Sequence, residues 1–154
     1  MEDADGSRFY TLEEYRKDAE ALQKNKEGKL VIIYTSNPVQ QDSYIRAARD
    51  KGYKVVKLET IVDAGFINQM ELKWEQVHFT RVDSEVVDNL IDKQESAESI
   101  LSTGEVEKLK SLFAVNIPSI HVTVEVKGLS AEAMPVVATR PEFMRRMKDM
   151  ASLN

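Results

Sequence analysis

The sequence predicts an α/β three-layer unit with a short parallel sheet. A small α+β piece follows, made of a helix, a β-hairpin and an amphipathic helix. Three observations carry this expectation. Residues 29–35, KLVIIYT, form a near-continuous apolar run rich in β-branched side chains, the mark of a strand buried on both faces of a parallel sheet. Segments of helical spacing alternate with such strands over residues 1–95, the order of a layered α/β unit. Further on, residues 120–127, IHVTVEVK, alternate strictly and residues 141–150, PEFMRRMKDM, follow a helical period.

The elements follow in order. Thr11-Leu12-Glu13-Glu14 is a capping box, and Leu12, Tyr15, Ala19 and Leu22 continue it at helical spacing. Residues 25–28 turn into the first strand, which Asn37-Pro38 breaks. A helix over 41–51 turns Tyr44, Ile45, Ala47 and Ala48 inward and ends at Gly52. Residues 53–58 form a second strand, 61–73 a helix with Ile61, Phe66, Ile67 and Met70 as its apolar set, and 78–82 a third strand. Ser84 caps a short helix containing Val86, Val87, Leu90 and Ile91. The polar stretch QESAESILSTG at 94–104 marks a boundary, dividing the chain into 1–95 and 96–154. A helix over 105–113, a hairpin of strands 120–127 and 135–139, and the amphipathic helix complete the second piece. That piece is small for independent stability, so it is expected to lean on the first or on further sequence.

The totals exclude several classes. With 42% hydrophobic and 31% charged residues the composition is globular. No apolar run approaches the roughly 18 residues that span a bilayer, and MEDADGSRFY lacks the apolar core of a signal peptide. There is no cysteine, which removes disulfides and thiolate chemistry. A net charge of −5 offers no electrostatic case for nucleic-acid binding. The expectation is a cytoplasmic chain with no membrane and no nucleic-acid partner.

Catalytic and cofactor signals are weak. The loop Thr35-Ser36-Asn37-Pro38-Val39-Gln40 contains no glycine, so neither a dinucleotide fingerprint nor a P-loop is present; Ser36 or Asn37 reads as a helix cap. A small-ligand or nucleotide site near Ser36, Thr60 and Asp63, at the carboxyl edge of the sheet, is the alternative function. His78 and His121 each sit in a strand with no second ligand at useful spacing. Asp63 and Asp83 follow strands, where a lone carboxylate caps a helix. No catalytic constellation, metal site or cofactor is expected. Trp74 has two readings: a partly buried aromatic at a helix end, or an anchor for a partner.

The last helix carries the sharpest signal. Thr139-Arg140-Pro141-Glu142 opens it with a capping box and an early proline. At about 100° per residue, Phe143, Met144, Met147, Met150 and Ala151 fall within roughly 120° of one another, while Arg145, Arg146 and Lys148 line the other face. The stripe is either core, which would make the region a structural spacer, or an uncovered surface that re-packs against varied partners. Core is the commoner use of such a stripe, the short remaining sequence weighs towards the surface reading, and on the residues alone both stay open.

The segments FYTLEEY, KLVIIYTS and DKGYKVVKL, with the turn Thr60-Ile61-Val62-Asp63, resemble the late middle domain of Hsp90 chaperones of the bacterial type. EVEKLKSLF, IHVTVEV, PVVAT and PEFMRRMKDM resemble, in order, the opening of that family's carboxyl-terminal domain. The resemblance implies a fragment: residues 1–95 the carboxyl-terminal subdomain of the middle domain, residues 96–154 a truncated carboxyl-terminal domain. It implies a parent homodimer that uses ATP and Mg, and a fragment without the ATPase domain or the dimer helices, hence neither an enzyme nor a dimer. Partly folded client proteins are the implied partners. Phe143, Met144, Met147 and Met150 match the helix that family members use on clients. Ala64, Gly65 and Asn68 match a second client patch, where one compared family member carries an acidic residue and a tryptophan in place of Ala64 and Gly65. That departure leaves Phe66, Asn68 and Trp74 as the side chains expected to serve there.

Overall fold

A computed structural model of the chain describes residues 1–60, 62–84, 101–117, 122–126, 135–136 and 138–151. The chain forms two compact units, one of Met1–Lys93 with Val137–Asn154 and one of Gln94–Val136. The first holds β1 (Glu2–Asp3), α1 (Leu12–Ala19), β2 (Leu30–Thr35), α2 (Asp42–Asp50), β3 (Val55–Lys57), α3 (Val62–Lys73) and β4 (Val77–Arg81). The second holds α4 (Thr103–Asn116), and the chain returns to the first as α5 (Glu142–Ala151).

The sheet runs β1-β3-β2-β4. β2 is parallel to both neighbours, with Ile33 opposite Val55 and Ile32 opposite Phe79. All six residues of β2 are buried, as a central parallel strand requires. Its alternate side chains serve opposite layers. Leu30, Ile32 and Tyr34 join Tyr15, Ala19, Ile67 and Phe79 under α1 and α3. Val31 and Ile33 join Ile45, Ala48 and Val55 under α2.

Local chemistry fixes the joints. The Thr11–Glu14 capping box forms in both directions. Gln23, fully buried, donates from Nε2 to the Tyr15 hydroxyl at 2.8 Å and to the Val31 carbonyl at 2.9 Å, and accepts from the Lys54 amide at 2.6 Å. Its amide thus satisfies backbone from two segments in a place water cannot reach. Gly52, at φ 79°, closes α2 in the left-handed region where a side chain would be strained.

Several expectations need correction. β1 was not expected; its Asp3 is buried, with the Arg49 guanidinium and, at 3.4 Å, the Tyr10 hydroxyl on its carboxylate. The second strand is shorter than 53–58. Asn37 caps the turn that leads into α2, its side chain accepting from the Gln40 amide at 3.0 Å. The residue that opens α2 is Gln41, and Ser36 makes no cap. Instead the buried Gln41 side chain accepts from the Thr35 hydroxyl at 2.6 Å and from the Ser36 amide at 3.1 Å. α4 begins earlier than expected, because Ser102 and Glu105 form a capping box of their own. No residue of α4 is buried.

The hairpin expected over 120–127 and 135–139 has no strand at residues 122–126, 135–136 or 138–139. A two-stranded ribbon is marginal by itself, and alternation alone does not provide a partner for its backbone groups. Around 138–140 the chain bonds to the first unit instead: the Tyr44 hydroxyl donates to the Ala138 carbonyl at 2.7 Å, and Arg140 bridges Ser84. The boundary near residue 95 is therefore crossed twice, and α5 belongs with the first unit. The helix expected after Ser84, His121 and part of the first hairpin strand lie outside the described residues.

Candidate functional site: a methionine helix docked by its charges

α5 packs with its charged face inward. Glu142 and Arg145 are buried at 8% and 7% exposure, whereas Phe143, Met144, Met147 and Met150 stand 70%, 64%, 56% and 54% exposed. The stripe is a surface, not core.

The inward face is one connected network. Arg145 bonds the Tyr34 hydroxyl and Glu142, and its guanidinium lies 5.4 Å from the Tyr34 ring centroid. Arg146 bonds both Glu71 oxygens at 2.7 and 2.9 Å, the Phe79 carbonyl at 2.7 Å and Glu142 at 2.9 Å. The Phe79 amide donates to Glu71 at 2.7 Å, and His78 Nδ1 lies 3.1 Å from the same carboxylate. β4 ends the sheet order, so it leaves backbone groups open on its outer side. At Phe79, Glu71 and Arg146 occupy both of them, as a neighbouring strand would. Buried ions are costly unless every lone pair and proton is met, and here the ionic groups meet one another and the strand edge.

The proton affinities follow the same geometry. Burial pushes the Glu71 carboxyl up, but bonds from Arg146, His78 and the Phe79 amide outweigh it and hold the group down at about 2. Burial also opposes the Glu142 charge, and Arg145 and Arg146 reverse the balance, lowering it. Burial pulls the Arg146 guanidinium down, and Glu71 and Glu142 more than restore it. Burial, then the Glu142 charge, raises the Tyr34 phenol.

Beside this helix, at the carboxyl ends of the parallel strands, lies a groove of about 230 Å³, with Ser36, Thr60, Asp63, Asn68, Arg81 and Met150 on its walls. It brings Met150 and Asn68 to one place. Phe66 lines an adjoining hollow of about 340 Å³ and meets Phe79 edge to face at 6.2 Å. Phe66 and Trp74 are partly buried against the core, so most of their apolar area is already used. Gly65 is exposed, with nothing within 4 Å of where a Cβ would stand.

Two polar groups of the groove, Asp63 and Arg81, are committed within the protein. Asp63 accepts from the Thr60 amide at 2.7 Å, a helix-start bond. Arg81 is held bidentate by Asp83, at 2.8 Å for one of the two bonds. Among the described residues no group of three candidate metal ligands occurs. Among them, too, no helix is long and apolar enough to cross a membrane.

Sequence reasoning found the stripe but missed what holds it. Glu142 with Arg145 and Arg146 at i+3 and i+4 signals local ion pairing. Nothing local points to Glu71, Tyr34 or the Phe79 carbonyl, which lie 67 to 111 residues away.

In sequence the chain is similar to bacterial chaperones, with which it aligns along nearly its whole length. It is 41% identical over 154 residues to the chaperone protein HtpG of Porphyromonas gingivalis and 37% identical over 154 residues to that of Bacteroides fragilis. It is 36% identical over 150 residues to the HtpG of Bacteroides thetaiotaomicron. These matches cover 96–98% of this chain but 22% of each relative, so the chain spans about a fifth of their length. The chain belongs to the HtpG chaperone family, the bacterial type of Hsp90, and corresponds to one segment of such a protein. No family model and no solved structure gives a significant match.

Proposed function

We propose that this chain is the client-contacting segment of an ATP-dependent chaperone, joining the middle region of the parent to its dimerisation region. The observation that carries the reading is the outward methionine face of α5, kept in solvent because its charged face is the one that docks. Exposed thioethers on a fixed helix suit partners of varied shape, since each side chain adjusts without moving the backbone. Asn68, at the groove that Met150 also lines, extends the surface, and Phe66 and Trp74 contribute their exposed edges. On this reading the segment itself is no enzyme and needs no cofactor. ATP and Mg belong to the parent, a cytoplasmic homodimer, and the segment alone is monomeric.

The test is NMR shift mapping with a partly folded model client, using the chain and its Met144→Ser/Met147→Ser variant. Shifts centred on 143–150, weakened in a folded variant, support the reading. A folded variant that binds as well as the original rejects it.

A further inference from the structure

The outward face of α5 differs chemically from every other apolar surface described in this chain: three of its four large side chains are thioethers. Met144, Met147 and Met150 follow one another at three-residue spacing, so their sulfurs share one side of the helix. All three are more than half exposed. Met70, on α3, is an internal contrast, half-buried and packed against the core. Oxidation of a thioether needs only that the oxidant reach the sulfur, so exposure separates the two groups.

We propose that this face is an oxidation site, at which peroxide-class oxidants convert Met144, Met147 and Met150 to methionine sulfoxides and so switch off the apolar surface. The step balances simply. The thioether sulfur attacks the distal peroxide oxygen, an S–O bond forms as the O–O bond breaks, sulfur gives up two electrons, and the second oxygen leaves as water. The product is polar and a strong hydrogen-bond acceptor, and it no longer gains by leaving water. The fold permits the change. α5 is held by Glu142, Arg145 and Arg146, so oxygens added at Met144 and Met147 lie away from the docking bonds, while Met150 borders Arg145 and Arg146 at the groove. Reduction by methionine sulfoxide reductases restores the face. The switching part of the proposal rests on the client-surface reading; the site itself does not.

The experiment treats the 154-residue chain with hydrogen peroxide and follows each methionine by peptide mass spectrometry. Sulfoxide is expected at Met144, Met147 and Met150 about fivefold faster than at Met70. The thermal midpoint is expected to hold, while affinity for the same partly folded client falls about tenfold and returns after reductase treatment. Equal rates at Met70 and the α5 methionines overturn the site. Retained affinity in the oxidised chain, a fall in midpoint, or a loss that reductase does not reverse overturns the switch. An unoxidised chain that binds no client overturns the client reading and the switch together, while the site-resolved rates still decide whether the oxidation site exists.

Discussion

α2 and α5 are nearly the same helix on paper and opposite in the fold. They are nine and ten residues long, begin with an acidic first turn and are about equally amphipathic. α2 buries its apolar side, with Ile45 and Ala48 at 5% and 4% exposure, and leaves the Arg46–Asp42 pair in solvent. α5 buries Glu142 and Arg145 and leaves its methionines outside. The difference lies in what each helix meets. α2 lies on a sheet face of Val31, Ile33 and Val55, and its last turn sends Arg49 to the Asp3 carboxylate at the sheet's edge strand. α5 meets a strand edge, a carboxylate and a phenol, which only a charged face can satisfy. Amphipathy says that a helix has two sides; the neighbour selects which one is inside.

The sharpest way to break the contrast is Glu71→Ala. It leaves the Phe79 amide without its acceptor and strips Arg146 of its two bonds to Glu71, at a cost of about 4 kcal/mol. Urea unfolding should report the loss, and amide exchange should show residues 142–151 opening first. Continued protection of those amides in the variant would mean that α5 is held by something else.

Acid should do the same by degrees. Glu71 is held down from 4.5 to about 2, so its contribution is complete above the ordinary carboxyl value and drains away as pH falls from about 4.5 towards 2. The amount is about 3 kcal/mol, and Glu142 adds in the same direction. Amide exchange against pH should show α5 losing protection in that window before α2, whose docking rests on Ile45 and Ala48 as well as on the Arg49–Asp3 pair.

Truncation on the apolar sides should separate the helices again. Ile45→Ala removes buried atoms and should cost about 2 kcal/mol. Met147→Ala removes atoms already in water and should change stability by less than about 0.5 kcal/mol. Equal costs in thermal unfolding would erase the distinction between the two faces.

Much of the molecule was legible in residue order. The continuous β-branched run of β2, the Thr11–Glu14 box and the glycine closing α2 are signals whose partners lie a few residues away. Asp63 as a helix-start carboxylate belongs to the same kind, as does the grouping of Phe143 with Met144, Met147 and Met150. β1 escaped because two acidic residues carry no strand pattern; they pair only because β3 offers an edge. The hairpin was overread because alternation describes one strand and is silent about its partner. The groove shared by Asn68 and Met150 joins α3 to α5 across a gap in sequence that no periodicity spans.

The sequence by itself determined the helices and strands, the order of the layers' apolar runs, the absence of cysteine chemistry and the two-sided character of α5. Membership of the HtpG family is written there too, in the order of its motifs. Only the tertiary structure decided that α5 turns its charges inward and its methionines out. That choice compares the desolvation of three ionic side chains with the value of Glu71, Tyr34 and the Phe79 carbonyl standing ready to receive them, and those groups become neighbours only after the chain has folded.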